Sequence, residues 1–340
     1  MNEKNSAWAA KLMGTGSIAD VIATDKPRGG NSGKGTKATK AVLPGMHVGR
    51  GQRYGNLTWF PIWTDAPVVE RDYTTKPDAG QVAVVEQANP TVGVIEIENN
   101  GSKPVLLIEG DLLEGGWQHR ALTQTVLVAA NSTSTLPVVC VEAGRWGGAS
   151  VQRLGKKSAP VGVRRAMRGL SKNDQGVFNQ AAADQGAVWD SVRAYSVMNN
   201  KARPTESLVE VQDEIEAEIA ALKLDKPEAL LGQRGVLIAI GGKPLALELF
   251  DHPDTLAERL ETLLDAYLPQ SLAQKFVECP ARYARDFIVR IEMLGVEPTE
   301  AVDRLRNRPD KYVAAQAFVR NNELLHMSAL NAAHELVLAA

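Results

Sequence analysis

Between Val105 and Trp146 the chain twice runs an apolar β-type stretch into glycines, charges and an indole. The first stretch continues from Val105 through IEGDLLEGGWQHR, so Glu109, Asp111, Glu114, Gly115, Gly116, Gln118, His119 and Arg120 follow it. The second, PVVC, gives way to VEAGRW, which carries Glu142, Arg145 and Trp146. Glycine lets a backbone approach a ligand closely, and strand ends with converging polar groups are where pockets form. A chain built this way must end its strands at the rim of a sheet, and that rim is the first place to look for a binding site.

The same β grammar extends to both sides. Runs at Asn56–Trp63, Val82–Glu86, Val92–Glu98, Val105–Ile108, Thr123–Val128 and Leu136–Val141 are separated by turn signals such as Asn99-Asn100-Gly101. Short strands at this spacing predict a sandwich or distorted barrel rather than a βαβ array. After Gly148 the pattern changes. Arg153 to Gly176 is basic and broken by glycine and proline, and reads as a long surface loop. Helices are expected over Phe178–Tyr195, Ser207–Leu224 and Asp254–Leu268, and a hairpin over Val236–Phe250. Further helical pieces follow from Ala281, with breaks at Pro298 and Pro309. The expected class is α+β: an N-terminal antiparallel β-sandwich or distorted barrel, followed by a helix-rich region with a β-hairpin. The division drawn from sequence is a flexible N-terminal segment at 1–50, a β domain at 51–150 and a helix-rich α+β region at 151–340. Within the first segment, Ala7 to Ile22 can form a short helix, and Asp25 to Lys40 is a basic linker with little to bury.

Composition narrows the partners. A formal charge of −2 provides no global positive field for nucleic acid or an anionic membrane. No apolar run approaches the ~20 residues a membrane helix needs, and Met1 to Ser17 does not read as a secretory signal. Cys140 and Cys279 are the only cysteines, which suggests a reducing compartment, the cytoplasm. Homo-oligomerisation stays open, with the acidic amphipathic segment Ser207–Leu224 as a possible contact face.

Several motifs are weak on inspection. Gly33-Lys34-Gly35-Thr36 imitates a phosphate loop, but Arg28 and Gly35 stand where the pattern needs Gly and Ser or Thr. Gly14-Thr15-Gly16-Ser17-Ile18-Ala19 fits a loose dinucleotide fingerprint without the strand that should precede it. The five histidines lack metal spacing. Glu109, Asp111 and Glu114 could supply oxygens to Mg²⁺ or could be plain turn residues, and no metal ligand or cofactor is assigned. Cys140, between two valines, reads as a buried small hydrophobe. Arg120 and Arg145 carry more. Each lies near glycines and a tryptophan, and guanidinium groups grip phosphate or carboxylate in pairs of hydrogen bonds. Alternatively, Arg145 pins the two strand ends by pairing with Glu109 or Glu142.

The run PVLLIEGDLLEGGWQHR, followed by LVAANSTSTLPVVCVEAGRW, resembles the ARPP domain family, the ARG- and rhodanese-phosphatase-superfamily-associated proteins of bacteria. LTWFPI at Leu57–Ile62, VLIAIGG at Val236–Gly242 and LELF at Leu247–Phe250 support the match, which runs from about Gly51 to Tyr267 and on toward the C-terminus. The resemblance places a polar signature on Glu109, Gly115, Gly116, Gln118, Arg120 and Glu142, completed by Gly144-Arg145-Trp146. The chain departs from it at Trp117 and His119. The family name records association with ADP-ribosylglycohydrolase-like and phosphatase-like proteins, which implies ADP-ribose or nucleotide metabolism, or bacterial conflict.

Three readings follow. In the first, a pocket for a phosphorylated, nucleotide-like ligand gathers Glu109, Gln118, Arg120, Glu142 and Arg145. Arg120 and Arg145 hold its phosphate, and Gln118 and the Gly115-Gly116 backbone orient it, with His119 among the binding residues. Trp146 stacks on a ring, and Glu114 or Glu142 is the general base of any hydrolysis. In the second, the protein is a non-catalytic scaffold and the Glu/Arg clusters are structural. A third and weaker reading uses 25–40 and 153–168 as a basic surface for nucleic acid, although those segments lack interleaved aromatics.

Overall fold

A computed structural model of the chain describes residues 43–85, 93–145, 147–148, 151–201, 206–299 and 303–338. The helix expected at Ala7–Ile22, the linker at Asp25–Lys40, the two glycine motifs near the N-terminus and Trp146 lie outside the described residues.

The chain opens with β1 (Met46–Val48), β2 (Gln52–Tyr54) and β3 (Leu57–Thr64). A β-rich excursion follows: β4 (Val82–Val85), β5 (Val94–Asn99), β6 (Val105–Leu107), β7 (Asp111–Gly115), β8 (Arg120–Leu122), β9 (Val126–Val128), β10 (Ser132–Cys140) and β11 (Val151–Ser158). Next come α1 (Val161–Met167), β12 (Ser171–Lys172), β13 (Phe178–Asn179), α2 (Gln185–Met198) and α3 (Leu208–Ala221). The last part holds β14 (Gly235–Ile240), β15 (Lys243–Phe250), α4 (Pro253–Asp265), α5 (Leu268–Leu272) and α6 (Ala281–Leu294). It closes with β16 (Glu297–Pro298), β17 (Arg304–Arg306), β18 (Val313–Arg320), β19 (Glu323–Asn331) and α7 (Glu335–Leu338). The fold is α+β, as the patterning predicts.

Strands β10-β5-β4-β11-β7-β8 close into a barrel. The alternation in VIEIEN makes this possible: Ile95 and Ile97 enter the barrel core with Leu113, Leu122 and Val138, while Glu96 and Glu98 alternate with them on the opposite face. The second sheet has nine strands in the order β1-β3-β14-β15-β19-β18-β17-β16, with β2 on β3. Its central strands are apolar at consecutive positions because both faces are covered. In β14, Val236, Ile238 and Ile240 pack under Leu256, Leu260 and Leu263 of α4. Leu237 and Ala239 pack on the other side under Tyr283, Phe287 and Ile291 of α6. Helices α1, α2 and α3 bury Val163, Val188, Val192 and Leu208 against Leu112, Ala121 and Val139 on the outer wall of the barrel, and α1 reaches the core of the large sheet through Val161.

The large sheet is completed from both ends of the chain. Strand β3, which the sequence division groups with the barrel strands, pairs with β14 from Ile62↔Gly235 to Leu57↔Ile240. Two sequence expectations fail. The basic stretch Arg153–Gly176 is not a surface loop: it contains β11 and α1, and Arg164 and Arg168 are almost wholly buried. Charged residues are rarely buried unless paired, and these two find carboxylates distant in sequence, one in a turn and one in a strand. That removes them from any nucleic-acid surface. The tail is helical at α6 and α7 as expected, but the described elements between them, from Glu297 to Asn331, are strands. Residues 313–331 form a β-hairpin whose tip, Asn321-Asn322, takes φ of 53° and 67°. Two successive asparagines tolerate this left-handed turn, and tertiary pairing overrides the helix propensity of the alanines. Among the described residues, no helix is long and apolar enough to cross a membrane.

Candidate functional site

Six of the residues singled out in sequence do meet. Glycine is required at 115 and 116, whose φ values are 96° and 62°. The turn they make lets the Gly115 amide donate to His119 Nδ1 at 2.9 Å and the His119 amide donate to Glu142 Oε2 at 3.1 Å. Gln118 Nε2 donates to the Glu142 carbonyl at 3.4 Å. Arg145 Nε donates to Glu142 Oε2 at 2.9 Å and Arg145 Nη1 to the Gly116 carbonyl at 2.9 Å. Glu142 is buried and Arg145 half-buried, so the arginine closes the two strand ends as a clamp. Burial pushes the His119 imidazole below its ordinary value, while hydrogen bonding to Glu142 raises Arg145 further. Cys140 is buried, donates to the Glu142 carbonyl at 3.0 Å, and has its thiol pushed up by burial. Arg120 is buried on β8 opposite Cys140. Trp117 is exposed.

The three neighbouring carboxylates go to three different arginines. Glu114 pairs with Arg153 at 2.8 Å on the surface, Asp111 pairs with Arg259, and Glu109 pairs with Arg168. Among the described residues no group of His, Cys, Asp and Glu could hold a metal ion.

Glu109 therefore belongs to another assembly, which the sequence reading does not foresee. It sits at the tip of a turn closed by the Asp111 amide donating to the Ile108 carbonyl at 3.0 Å, with Gly110 at φ 92°. Helix α1 lies behind this turn. Its residues Arg164 and Arg168 are four apart, on one helical face, and both point into the molecule. Arg168 forks onto Glu109, Nε to Oε1 and Nη2 to Oε2, both at 2.8 Å. Arg164 Nη1 donates to Glu248 Oε1 at 2.5 Å and to the Tyr267 hydroxyl at 2.9 Å. Both arginines reach Ser328 Oγ at 2.7 Å, and that hydroxyl donates to Glu248 Oε1 at 2.9 Å. Burial alone would raise both carboxyls. Arg168 and Arg164 hold Glu109 below the carboxylate range, and Arg164 with His326 brings Glu248 from 4.5 to about 2.

Strand register explains the polar stripe. One cross-strand row on the large sheet reads Arg306, Gln316, Ser328, Glu248; the next reads Arg304, Phe318, His326, Phe250. Paired residues on adjacent strands share a face, so these eight stand side by side under the barrel. His326 stacks on Phe250 at 4.7 Å between centroids and bonds Glu248 Oε2 through Nε2 at 3.0 Å. Its Nδ1 meets Thr125 Oγ1 at 2.8 Å, and Thr125 Oγ1 accepts from the Glu109 amide at 3.1 Å.

Between this stripe and the barrel lies a cavity of about 360 Å³ lined by Glu109, Gln124, Thr125, Arg304, Arg306 and His326, among others. A second cavity of about 520 Å³ adjoins it through Gln124, Ala182 and Arg306, and is walled by Val138, Val139, Met167 and Trp189. Of the residues singled out in sequence, Glu109 alone lines either cavity. Arg304 and Arg306 lie on the same face of β17 and both enter the first. Arg304 Nε is buried without a hydrogen-bond partner, with Asp303 Oδ1 4.0 Å away, and no hydrogen bond holds the Arg306 guanidinium among the described residues. Burial lowers both guanidinium values, and Arg306 is lowered further by the charges of Arg168 and Arg304. The sequence signal for these residues is polar side chains inside apolar runs: Glu248 within LALELF, His326 and Ser328 within LLHMSAL.

Fold and cleft together define an α+β protein whose barrel roofs a polar stripe on a large antiparallel sheet, with a cation-lined pocket between. The chain belongs to the family of the ARG and Rhodanese-Phosphatase-superfamily-associated Protein domain, ARPP-1, whose model matches residues 45–330. No curated protein and no solved structure matches it significantly.

Proposed function

We propose that the chain binds a small phosphorylated molecule, of the nucleotide or ADP-ribose class, in the cleft between barrel and sheet. The observation that carries this reading is the pair Arg304 and Arg306, two half-buried guanidinium groups at a cavity wall. Their nearby carboxylates, Asp303 at 4.0 Å and Glu109, make no hydrogen bond to them among the described residues. A phosphate would satisfy their donors and offset the charge that burial opposes. The adjoining cavity, with Trp189 on its wall, offers an apolar chamber for a base or sugar. The reading thus keeps the ligand class expected from sequence and moves its site. The Glu142–Arg145 cluster, its donors spent internally, fits a structural clamp. The family description, with its rhodanese-phosphatase association, is in keeping with phosphate chemistry, and a role in bacterial conflict or ADP-ribose metabolism rests on it alone. Two free, buried cysteines suit a cytoplasmic setting.

Calorimetric titration with orthophosphate, ADP and ADP-ribose tests the proposal. Arg304→Ala and Arg306→Ala should each cost about 2 kcal/mol or more of binding, and Arg306→Ala should leave folding stability unchanged or slightly raised. Equal binding by the parent protein and both variants, or no binding of any phosphorylated probe, would end it.

A further inference from the structure

We infer that Thr125, His326 and Glu248 form a nucleophile–base–carboxylate relay, and that the cleft cleaves a phosphoester or phosphoanhydride bond of the ligand it holds. This rests on the phosphate-binding reading of Arg304 and Arg306.

The hydrogen bonds define the direction of the relay. Glu248 is fully buried and receives Arg164, Ser328 and His326, so as a carboxylate it can only accept. His326 Nε2 is then the protonated nitrogen, and its Nδ1 lone pair faces Thr125 Oγ1 at 2.8 Å. The Glu109 amide already donates to Thr125 Oγ1, which leaves the hydroxyl hydrogen for Nδ1. A hydroxyl, an imidazole and an oriented carboxylate in hydrogen-bond sequence are the parts from which an activated nucleophile is built.

Placement separates this trio from an ordinary buried network. Thr125 and His326 both line the cavity that Arg304 and Arg306 enter. The ring of His326 is fixed by Phe250 on one face and Glu248 at one edge, so little reorganisation is needed when a proton arrives. The imidazolium formed would sit against an anion whose carboxyl is held down at about 2, and which therefore stays charged.

The chemistry balances with water as the only co-reactant. Thr125 Oγ attacks phosphorus and its proton passes to His326 Nδ1. The bond from phosphorus to the leaving oxygen breaks, and His326 returns the proton to that oxygen. Water then attacks the phosphothreonine, giving its proton to His326. The Thr125–phosphorus bond breaks, the proton returns to Thr125 Oγ, and inorganic phosphate departs. Arg304 and Arg306 would neutralise the phosphoryl oxygens during both displacements.

The test uses the full chain, with p-nitrophenyl phosphate and ADP-ribose as probes and acid-quenched peptide mass spectrometry as a second readout. Hydrolysis of one probe is expected, with a phosphoryl adduct on the peptide carrying Thr125. Thr125→Val and His326→Gln should each lower turnover about a thousandfold, while Thr125→Ser, which keeps the hydroxyl, retains a measurable rate. Calorimetry on the same proteins separates the two readings. If the probes bind but are not cleaved and no adduct forms, the relay is refuted and the binding site stands. Undiminished turnover in a folded Thr125→Val protein also refutes it. If no probe binds, the binding reading fails first.

Discussion

Arg168 and Glu109, 59 residues apart in the chain, face each other with both pairs of donor and acceptor atoms at 2.8 Å, and both are shut away from water. This fork ties helix α1 to the turn at the mouth of the barrel. Arg168 also holds the Ala314 carbonyl at 2.7 Å, so one side chain joins the barrel, a bridging helix and the large sheet.

Removing that guanidinium should be severe. Arg168→Ala would leave the Glu109 carboxylate buried with only the more distant Arg164 at 3.7 Å, and should cost about 3–5 kcal/mol of stability in urea unfolding. Arg168→Lys keeps the charge but cannot fork, and should recover only part of the loss.

Arg145 and Arg153 offer an internal contrast. Arg145 covers a buried carboxylate, so Arg145→Ala should cost about 3 kcal/mol, the lower end of the range for breaking such pairs. Arg153 pairs with Glu114 from a side chain that is 80% exposed, and Arg153→Ala should stay within about 0.5 kcal/mol of the parent. Equal effects on denaturant midpoints would contradict the clamp role of Arg145.

Gly169 ends helix α1 at φ 53°, and a Cβ there would run into the Ala182 carbonyl oxygen. Gly169→Ala should therefore destabilise the fold by about 1–3 kcal/mol and loosen the wall shared by the two cavities. Hydrogen exchange should rise first at the end of α1, where Arg168 is anchored.

Acid should weaken the protein in two windows. His334 is buried, its Nε2 donates to the Ile240 carbonyl, and burial lowers its value from 6.5 to about 4. As pH falls below 6.5 the unfolded chain takes up that proton first, so stability declines until about 4. Glu248, lowered to about 2, contributes stability above its ordinary 4.5 that is lost as pH falls toward 2. In His334→Gln, melting temperature against pH should show a shallower upper slope, to which buried His119 still contributes, and an unchanged lower one.

Much of the fold was legible because it is written in local periodicity. The alternation in VIEIEN marks a barrel strand, and Leu256, Leu260, Leu263 and Leu264 mark α4. The Gly115–Arg145 cluster was legible for the same reason: its partners lie at the ends of β7 and β10 and before β8, which pairs with both. The cleft was not. Arg164 and Arg168 sit among exposed-looking basic residues, and only long-range pairing with Glu109 and Glu248 makes their burial tolerable. Arg304 and Arg306 belong to a three-residue strand whose partner, β18, reads locally as alanine-rich helix.

The large sheet draws its strands from both ends of the chain, and this has a consequence for synthesis. When a ribosome has made the barrel and α1, Arg164 still lacks Glu248 and both arginines lack Ser328, because β15 and β19 come later. Arg164, committed to the interior, must wait, hydrated, until β15 is made, and Arg168 has only Glu109 until β18 and β19 follow. A truncated product that stops before β19 has no His326 and no Ser328, so it can close neither the stripe nor the cleft. Such a fragment should remain an open, protease-sensitive intermediate, so the hairpin of β18 and β19 decides whether the cleft closes.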